Sequence, residues 1–205
     1  KSRPDTIFCV DNAQNAAEIN DAARAAKTRL NVAIDLYVGN RTGIPAGDPA
    51  IALAEAIAKQ PNLELAGLQA YAGHAAHRSG FEARRTLSQT VMQTAVETRR
   101  ALEAKGIACP LLTGGSTGTY NIDCDIEGIT ELQPGSFVFM DVDYSRIGGP
   151  AGAAFEDFRY ALTVMTTVVS KPSANEVVVD GGLKAFSTDK PFPPVARAID
   201  GLVFS

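Results

Sequence analysis

The chain has 205 residues, 45% of them hydrophobic and 20% charged, an ordinary globular composition whose length suggests one domain, or one and part of another. A net charge of −4 argues against the basic stripe of a nucleic-acid surface, and no apolar run reaches the length of a membrane span. Cys9, Cys109 and Cys124 are odd in number, far apart and form no CxxC pair, which argues against a disulfide framework or a thiolate zinc site and fits a reducing compartment, the cytoplasm.

The chain has neither an initiator Met nor a signal-like start, so its true beginning is expected elsewhere. Residues 6–10 (TIFCV) form a short β-rich run, with Cys9 expected to be buried in it. Residues 12–27 follow with helical spacing, Ala16, Ile19, Ala23 and Ala26 on one face. Residues 31–38 (NVAIDLYV) are a second apolar run, ended by Gly39 and Asn40. Asp48-Pro49 is a good helix start, and Ala50, Leu53, Ala54 and Ile57 share a face of the helix that follows. Residues 63–71 read as a third strand, 81–105 as a long helix stopped by Gly106, and 110–113 as a fourth strand. Residues 128–133 and 137–141 read as short extended pieces.

Strand and helix alternating through short loops imply a parallel sheet, and periodicity leaves a doubly wound sheet and a (β/α) barrel both open. After about residue 155 the character changes. Residues 162–170 and 176–180 are β-branched runs joined by a short Pro- and Asn-bearing turn, the pattern of a hairpin. The expected division is therefore 1–155 and 156–205, the latter the start of an antiparallel β domain. Lys190 to Pro194 reads as an extended loop.

Four stretches carry chemistry. Residues 113–119 (TGGSTGT) follow a strand, and glycine amides with hydroxyls suit an anion such as phosphate. Arg41 lies at a strand end between two glycines, where its fork of donors can reach a phosphate, carboxylate or phenolate oxygen. Both histidines of the chain, His74 and His77, follow the third strand. Their spacing is open to metal binding, but no HExxH pattern or neighbouring carboxylate completes a site, and a strand-end His can serve as a general base. Last, residues 131–144 (ELQPGSFVFMDVDY) add Gly135 and Ser136 as backbone donors. Lys184 reads as a surface lysine rather than an imine-forming one.

Taken in order, residues 9–15 (CVDNAQN), 39–43 (GNRTG), 67–71 (GLQAY), 113–119, 131–144 and 170–184 (SKPSANEVVVDGGLK) resemble the D-threonine aldolase family. That group is related to 3-hydroxy-D-aspartate aldolases, D-serine dehydratases and alanine racemases. The resemblance implies a (β/α)8 TIM-type barrel that binds pyridoxal 5'-phosphate (PLP), followed by an antiparallel β domain. It implies that Arg41 bonds the phenolic oxygen of PLP, that Tyr71 lines the cofactor pocket, and that Gly115, Ser116, Thr117, Gly118 and Thr119 hold the phosphate with Gly135 and Ser136. Gln133 stands where alanine racemases carry an arginine facing the pyridine nitrogen. A neutral partner there is expected to leave that nitrogen largely unprotonated, which leans towards retro-aldol chemistry. His77 matches a histidine near the substrate β-hydroxyl.

One departure concerns Ala72, where the family usually has a histidine. The family's cofactor-binding lysine is expected N-terminal to this segment and its divalent-metal ligands (for Mn, Mg or Zn) beyond Ser205, so the barrel here is expected to be incomplete at its N-terminus and the segment alone inactive. The activity implied is cleavage of a D-3-hydroxy amino acid such as D-threonine to glycine and an aldehyde. Dehydration of D-serine or 3-hydroxyaspartate, or a non-catalytic PLP-binding barrel, are the alternatives, and a homodimer is an expectation.

Overall fold

The computed structural model describes residues 3, 5–39 and 41–186. It falls into two compact units, residues 1–135 and 136–205. The composition shift near residue 155 lies inside the second. The reading of Lys190 to Pro194 as a loop lies outside the described residues.

In the first unit the elements run β1 (Ile7–Val10), α1 (Ala13–Ala25), β2 (Leu30–Tyr37), β3 (Ile44–Pro45), α2 (Asp48–Ala58), β4 (Leu63–Ala70), α3 (Gly73–Ala76), α4 (Phe81–Ala104), β5 (Leu111–Gly114), α5 (Tyr120–Asp123) and β6 (Glu131–Leu132). Helix α1 starts where Asn12 Oδ1 accepts the Asn15 N–H at 2.7 Å, satisfying one of the orphan donors of a helix start. It stops at Lys27, which takes a left-handed φ of 51°. Helix α2 buries the predicted face, Ala50, Leu53, Ala54 and Ile57. In α1 the stripe is Ala16, Asn20 and Ala23, and Ala26 lies exposed. There Asn20 is held by the Asn62 N–H, which it accepts at 3.0 Å.

Every strand pair in this unit is parallel, in the order β1-β2-β4-β5-β6, with the short β3 beside the end of β2. Space order follows chain order without a reversal. A doubly wound sheet reverses at its switch point, so this succession is a barrel wall. Val32, Ile34 and Leu36 of β2, Leu68 of β4 and Leu112 of β5 are almost fully buried, each contributing about 1.5–3 kcal/mol by leaving water.

The second unit differs from expectation in two places. Residues 137–141 do not form a strand: Ser136–Val138 is a 3₁₀ turn, because the Ser136 carbonyl accepts the Phe139 and Met140 amides at 3.2 and 2.7 Å. Asp141 is then the N-cap of a short helix, α6 (Val142–Ser145), its carboxylate accepting the Tyr144 N–H at 2.8 Å, rather than a strand residue. The hairpin forms as β7 (Val168–Ser173) and β8 (Glu176–Val179), antiparallel. Its turn is tighter than expected, confined to Ala174 and Asn175, and residues 162–167 are not in a strand. Among the described residues no helix is long and apolar enough to cross a membrane.

Candidate functional site

In parallel strands, residues in one register row point to one face. Asp35 of β2 pairs with Gln69 of β4, Gln69 with Thr113 of β5, and Thr113 with Glu131 of β6. Four polar residues therefore make one row across the sheet, near the C-terminal ends of the strands, where barrels build their sites. Side-chain bonds run along it. Gln69 Nε2 donates to Asp35 Oδ1 at 3.2 Å, and the Thr113 hydroxyl donates to Glu131 Oε1 at 2.7 Å. Gln133, just past β6, donates from Nε2 to both Gln69 Oε1 (3.3 Å) and Thr113 Oγ1 (2.9 Å). Thr42 closes one end, donating to Asp35 Oδ2 at 2.6 Å. Cys9 is exposed rather than buried, and its thiol donates to Gln69 Oε1 at 3.2 Å.

Above Asp35 and Gln69 lies a small pocket of about 20 Å³, lined by Leu36, Val38, Arg41, Thr42 and Tyr71 as well. The Arg41 guanidinium sits over the Tyr71 ring, 4.9 Å from its centroid, a cation–π contact that keeps the fork at the pocket wall. The loops after β2 and β4 meet beside it. A Cβ on Gly39 would come within 2.3 Å of His74 Cε1, so only glycine admits that ring. Among the described residues, His74 Nδ1 is buried without a hydrogen-bond partner. His77, the expected base, is exposed at the C-cap of α3.

The loop after β5 is buried throughout: Gly114, Gly115, Ser116, Thr117, Gly118 and Thr119. Gly115 takes φ +72°, with Asp123 Oδ2 and Leu132 Cδ2 each 2.9 Å from where a Cβ would stand. The loop is tied to itself, since the Ser116 N–H donates to Thr119 Oγ1 at 3.1 Å. It is also tied to α4, where the buried Arg84 donates from Nε to the Gly118 carbonyl at 2.7 Å and from Nη1 to the Arg78 carbonyl at 3.0 Å. Asp123 beneath it accepts the Ser88 hydroxyl at 2.6 Å.

Burial pushes the Asp123 carboxyl above its ordinary 3.8, and hydrogen bonds from Ser88 and Thr119 pull back less strongly. A raised folded pKa favours the neutral form in the folded state. This contribution to stability is therefore complete below 3.8 and is lost as pH rises through the folded pKa. Asp123→Asn, neutral at every pH, should flatten that part of the curve and leave the variant relatively more stable at neutral pH. Urea midpoints for the two proteins between acid and neutral pH check this; parallel curves would refute it.

The structure brings Arg41 and Tyr71 together, and Gln133 into the row. It keeps Gly115 to Thr119 in one loop after the adjacent strand. Gly135 is the exposed last residue of the first unit, and Ser136 begins the second. Asp35, Thr42, Gln69, Thr113 and Glu131 were given no role of their own from the sequence, although a lone polar residue inside an apolar parallel strand, as Asp35 is in NVAIDLYV, is a signal that could have marked it. Among the described residues no three potential metal ligands cluster. A guanidinium beside an aromatic ring, together with a buried glycine-and-hydroxyl loop at the next strand end, is the donor chemistry that a phenolate oxygen and a phosphate ester ask for. The residues present fit PLP.

Comparison with known proteins agrees with this architecture. The chain is 36% identical to a 3-hydroxy-D-aspartate aldolase of Paracoccus denitrificans (strain Pd 1222) over 94% of its own length and 51% of that protein's. It is 35% identical to a D-threonine aldolase of an Arthrobacter species, over 96% and 51%. The crystal structure of D-threonine aldolase from Filomicrobium marinum superposes with a TM-score of 0.78 at 34% identity, over 87% of this chain and 48% of that one. The chain thus spans about half the length of the curated relatives it matches. A serine dehydratase domain model matches residues 161–203. The model described as alanine racemase, N-terminal domain, matches residues 2–143, most of the chain, and the chain belongs to that family.

Proposed function

We propose that the protein is a PLP-dependent carbon–carbon lyase that cleaves D-3-hydroxy amino acids, D-threonine among them, to glycine and an aldehyde, with a divalent metal as second cofactor. The observation that carries this is the strand-end rim, where Arg41 and Tyr71 wall a pocket next to the buried loop of Gly115 to Thr119. The two relatives named as aldolases support the substrate class. Arg41 holds the phenolic oxygen of the cofactor, Tyr71 walls its ring, and the loop with Gly135 holds its phosphate. When bound, PLP supplies a sink for the electron pair left on Cα. His77 takes the proton from the β-hydroxyl oxygen as the Cα–Cβ bond breaks and the aldehyde carbonyl forms.

The serine dehydratase model over residues 161–203 favours a second reading, elimination of the β-hydroxyl from D-serine or 3-hydroxyaspartate. One assay separates the two. The full-length protein is given PLP and D-threonine with and without Mn²⁺, and aldehyde and ammonia are both measured, after recording whether borohydride abolishes a visible absorbance band. A borohydride-sensitive band with aldehyde release supports the lyase. Ammonia without aldehyde favours the dehydratase, and a band without turnover favours a non-catalytic PLP-binding protein. Arg41→Ala should weaken PLP binding roughly 10- to 100-fold, the loss of one charge-assisted bond, read by absorbance titration of the full-length apoprotein; unchanged affinity would remove Arg41 from the cofactor site.

A further inference from the structure

The bonds along the polar row have a direction, and two carboxylates set it. Asp35 offers only lone pairs, so Gln69 must turn Nε2 towards it. Gln69 Oε1 then faces the other way and accepts from Cys9 Sγ and Gln133 Nε2. Partial burial and the neighbouring Asp35 push the Cys9 thiol up, which keeps it a donor. At the far end Glu131 accepts the hydrogen bond of the Thr113 hydroxyl, leaving Thr113 only lone pairs for Gln133. Both N–H groups of the Gln133 side chain are thereby used. Its backbone is fixed as well, the N–H donating to the Gly114 carbonyl at 2.8 Å. Flipping the carboxamide would set Oε1 against Gln69 Oε1 and against a hydroxyl whose proton is committed, so two bonds would become two repulsions. Oε1 is the side-chain group of Gln133 left over among the described residues.

We propose that Gln133 is locked as a hydrogen-bond acceptor, with Asp35 and Glu131 as positioning residues that fix its polarity from opposite ends, so that the site selects a ligand atom bearing a proton. Resting on the PLP reading above, this makes the pyridine nitrogen protonated when it faces Gln133. A neutral amide can serve either polarity, and a carbonyl oxygen favours the N–H⁺ form. The expectation of an unprotonated nitrogen, drawn from the neutrality of Gln133 alone, is thus reversed by its orientation.

The test uses the full-length protein loaded with PLP carrying ¹⁵N in its ring, with absorbance reporting occupancy and the ¹⁵N chemical shift reporting protonation. The wild type should show a pyridinium nitrogen at neutral pH. Gln133→Leu, which removes the acceptor, should move the signal towards that of a free pyridine at equal occupancy. Thr113→Val and Asp35→Leu, each of which removes an acceptor that holds the row and so releases the amide to turn, should move it the same way. Glu131→Gln, which keeps a carbonyl for the Thr113 hydroxyl, should leave it in place. A neutral nitrogen in the wild type with cofactor bound overturns the inference and leaves the PLP reading standing. A pyridinium signal that persists in Gln133→Leu, or in both Thr113→Val and Asp35→Leu, overturns the lock. Failure to bind PLP overturns both.

Discussion

Exchanging Arg84 for methionine should cost the full-length protein roughly 2–5 kcal/mol of unfolding free energy, by the usual cost of orphaning buried polar partners. Arg84 is fully buried in the first turn of α4, and its stem could be replaced by methionine's with little change of volume. Its head cannot be replaced. The guanidinium holds the Gly118 and Arg78 carbonyls at 2.7 and 3.0 Å and lies 5.6 Å from the centroid of the Phe81 ring. Those carbonyls belong to the loops after β5 and β4, so one side chain sets the spacing of two loops of the proposed site. The loss should show twice, as a lower urea midpoint and as faster amide exchange confined first to residues 74–80 and 114–119. Arg84→Lys should recover only part, because one ammonium on a flexible stem does not reproduce a rigid fork reaching two carbonyls. A methionine variant as stable as the wild type, with unchanged exchange in both loops, would mean that neither bond holds the site.

Arg84 also shows where the sequence falls silent. The loops themselves were legible, since TGGSTGT and GNRTG interrupt apolar runs and sit where parallel strands end. Most helices and strands were legible too, because each is long and periodic: the α2 stripe of Ala50, Leu53, Ala54 and Ile57 is buried as expected. What holds the loops was not. An arginine one turn into an amphipathic helix has the look of a solvated residue, and it is the tertiary fold, which brings the Gly118 and Arg78 carbonyls to its guanidinium, that buries it. The row of Asp35, Gln69, Thr113 and Glu131 is hidden for a related reason. Strand register is set by the whole sheet, so nothing local to any one of these residues says that the four are level. The stretch 137–141 fails the opposite way. Its Phe and Val content favours a strand, but Ser136 turns the chain and Met140 adopts a φ of 55°, a tertiary choice that overrides propensity.

Gly67→Ala should be the most damaging small substitution in the sheet, costing roughly 3 kcal/mol or more, the range of overpacking combined with backbone strain. Gly67 pairs with Ala33 on one side and Leu111 on the other. A Cβ placed on it would stand 1.9 Å from the Leu111 carbonyl oxygen and 2.7 Å from its carbonyl carbon, and its φ is +151°. Both obstacles are backbone, so no rotamer change relieves them: either β4 and β5 separate or the register breaks. That ladder carries Gln69 against Thr113 and Ala70 against Gly114, which levels the polar row and launches the buried loop. The substitution should therefore weaken ligand binding as well as folding. Gly106→Ala is the control. It too has positive φ, +76°, but among the described residues nothing lies within 4 Å of its would-be Cβ, so it should cost only about 1 kcal/mol, the strain of the left-handed region alone. The difference between the two urea midpoints measures the close approach of the strands. If Gly67→Ala costs no more than Gly106→Ala, β4 and β5 have room to spare, and the glycine that opens GLQAY is not there for their contact.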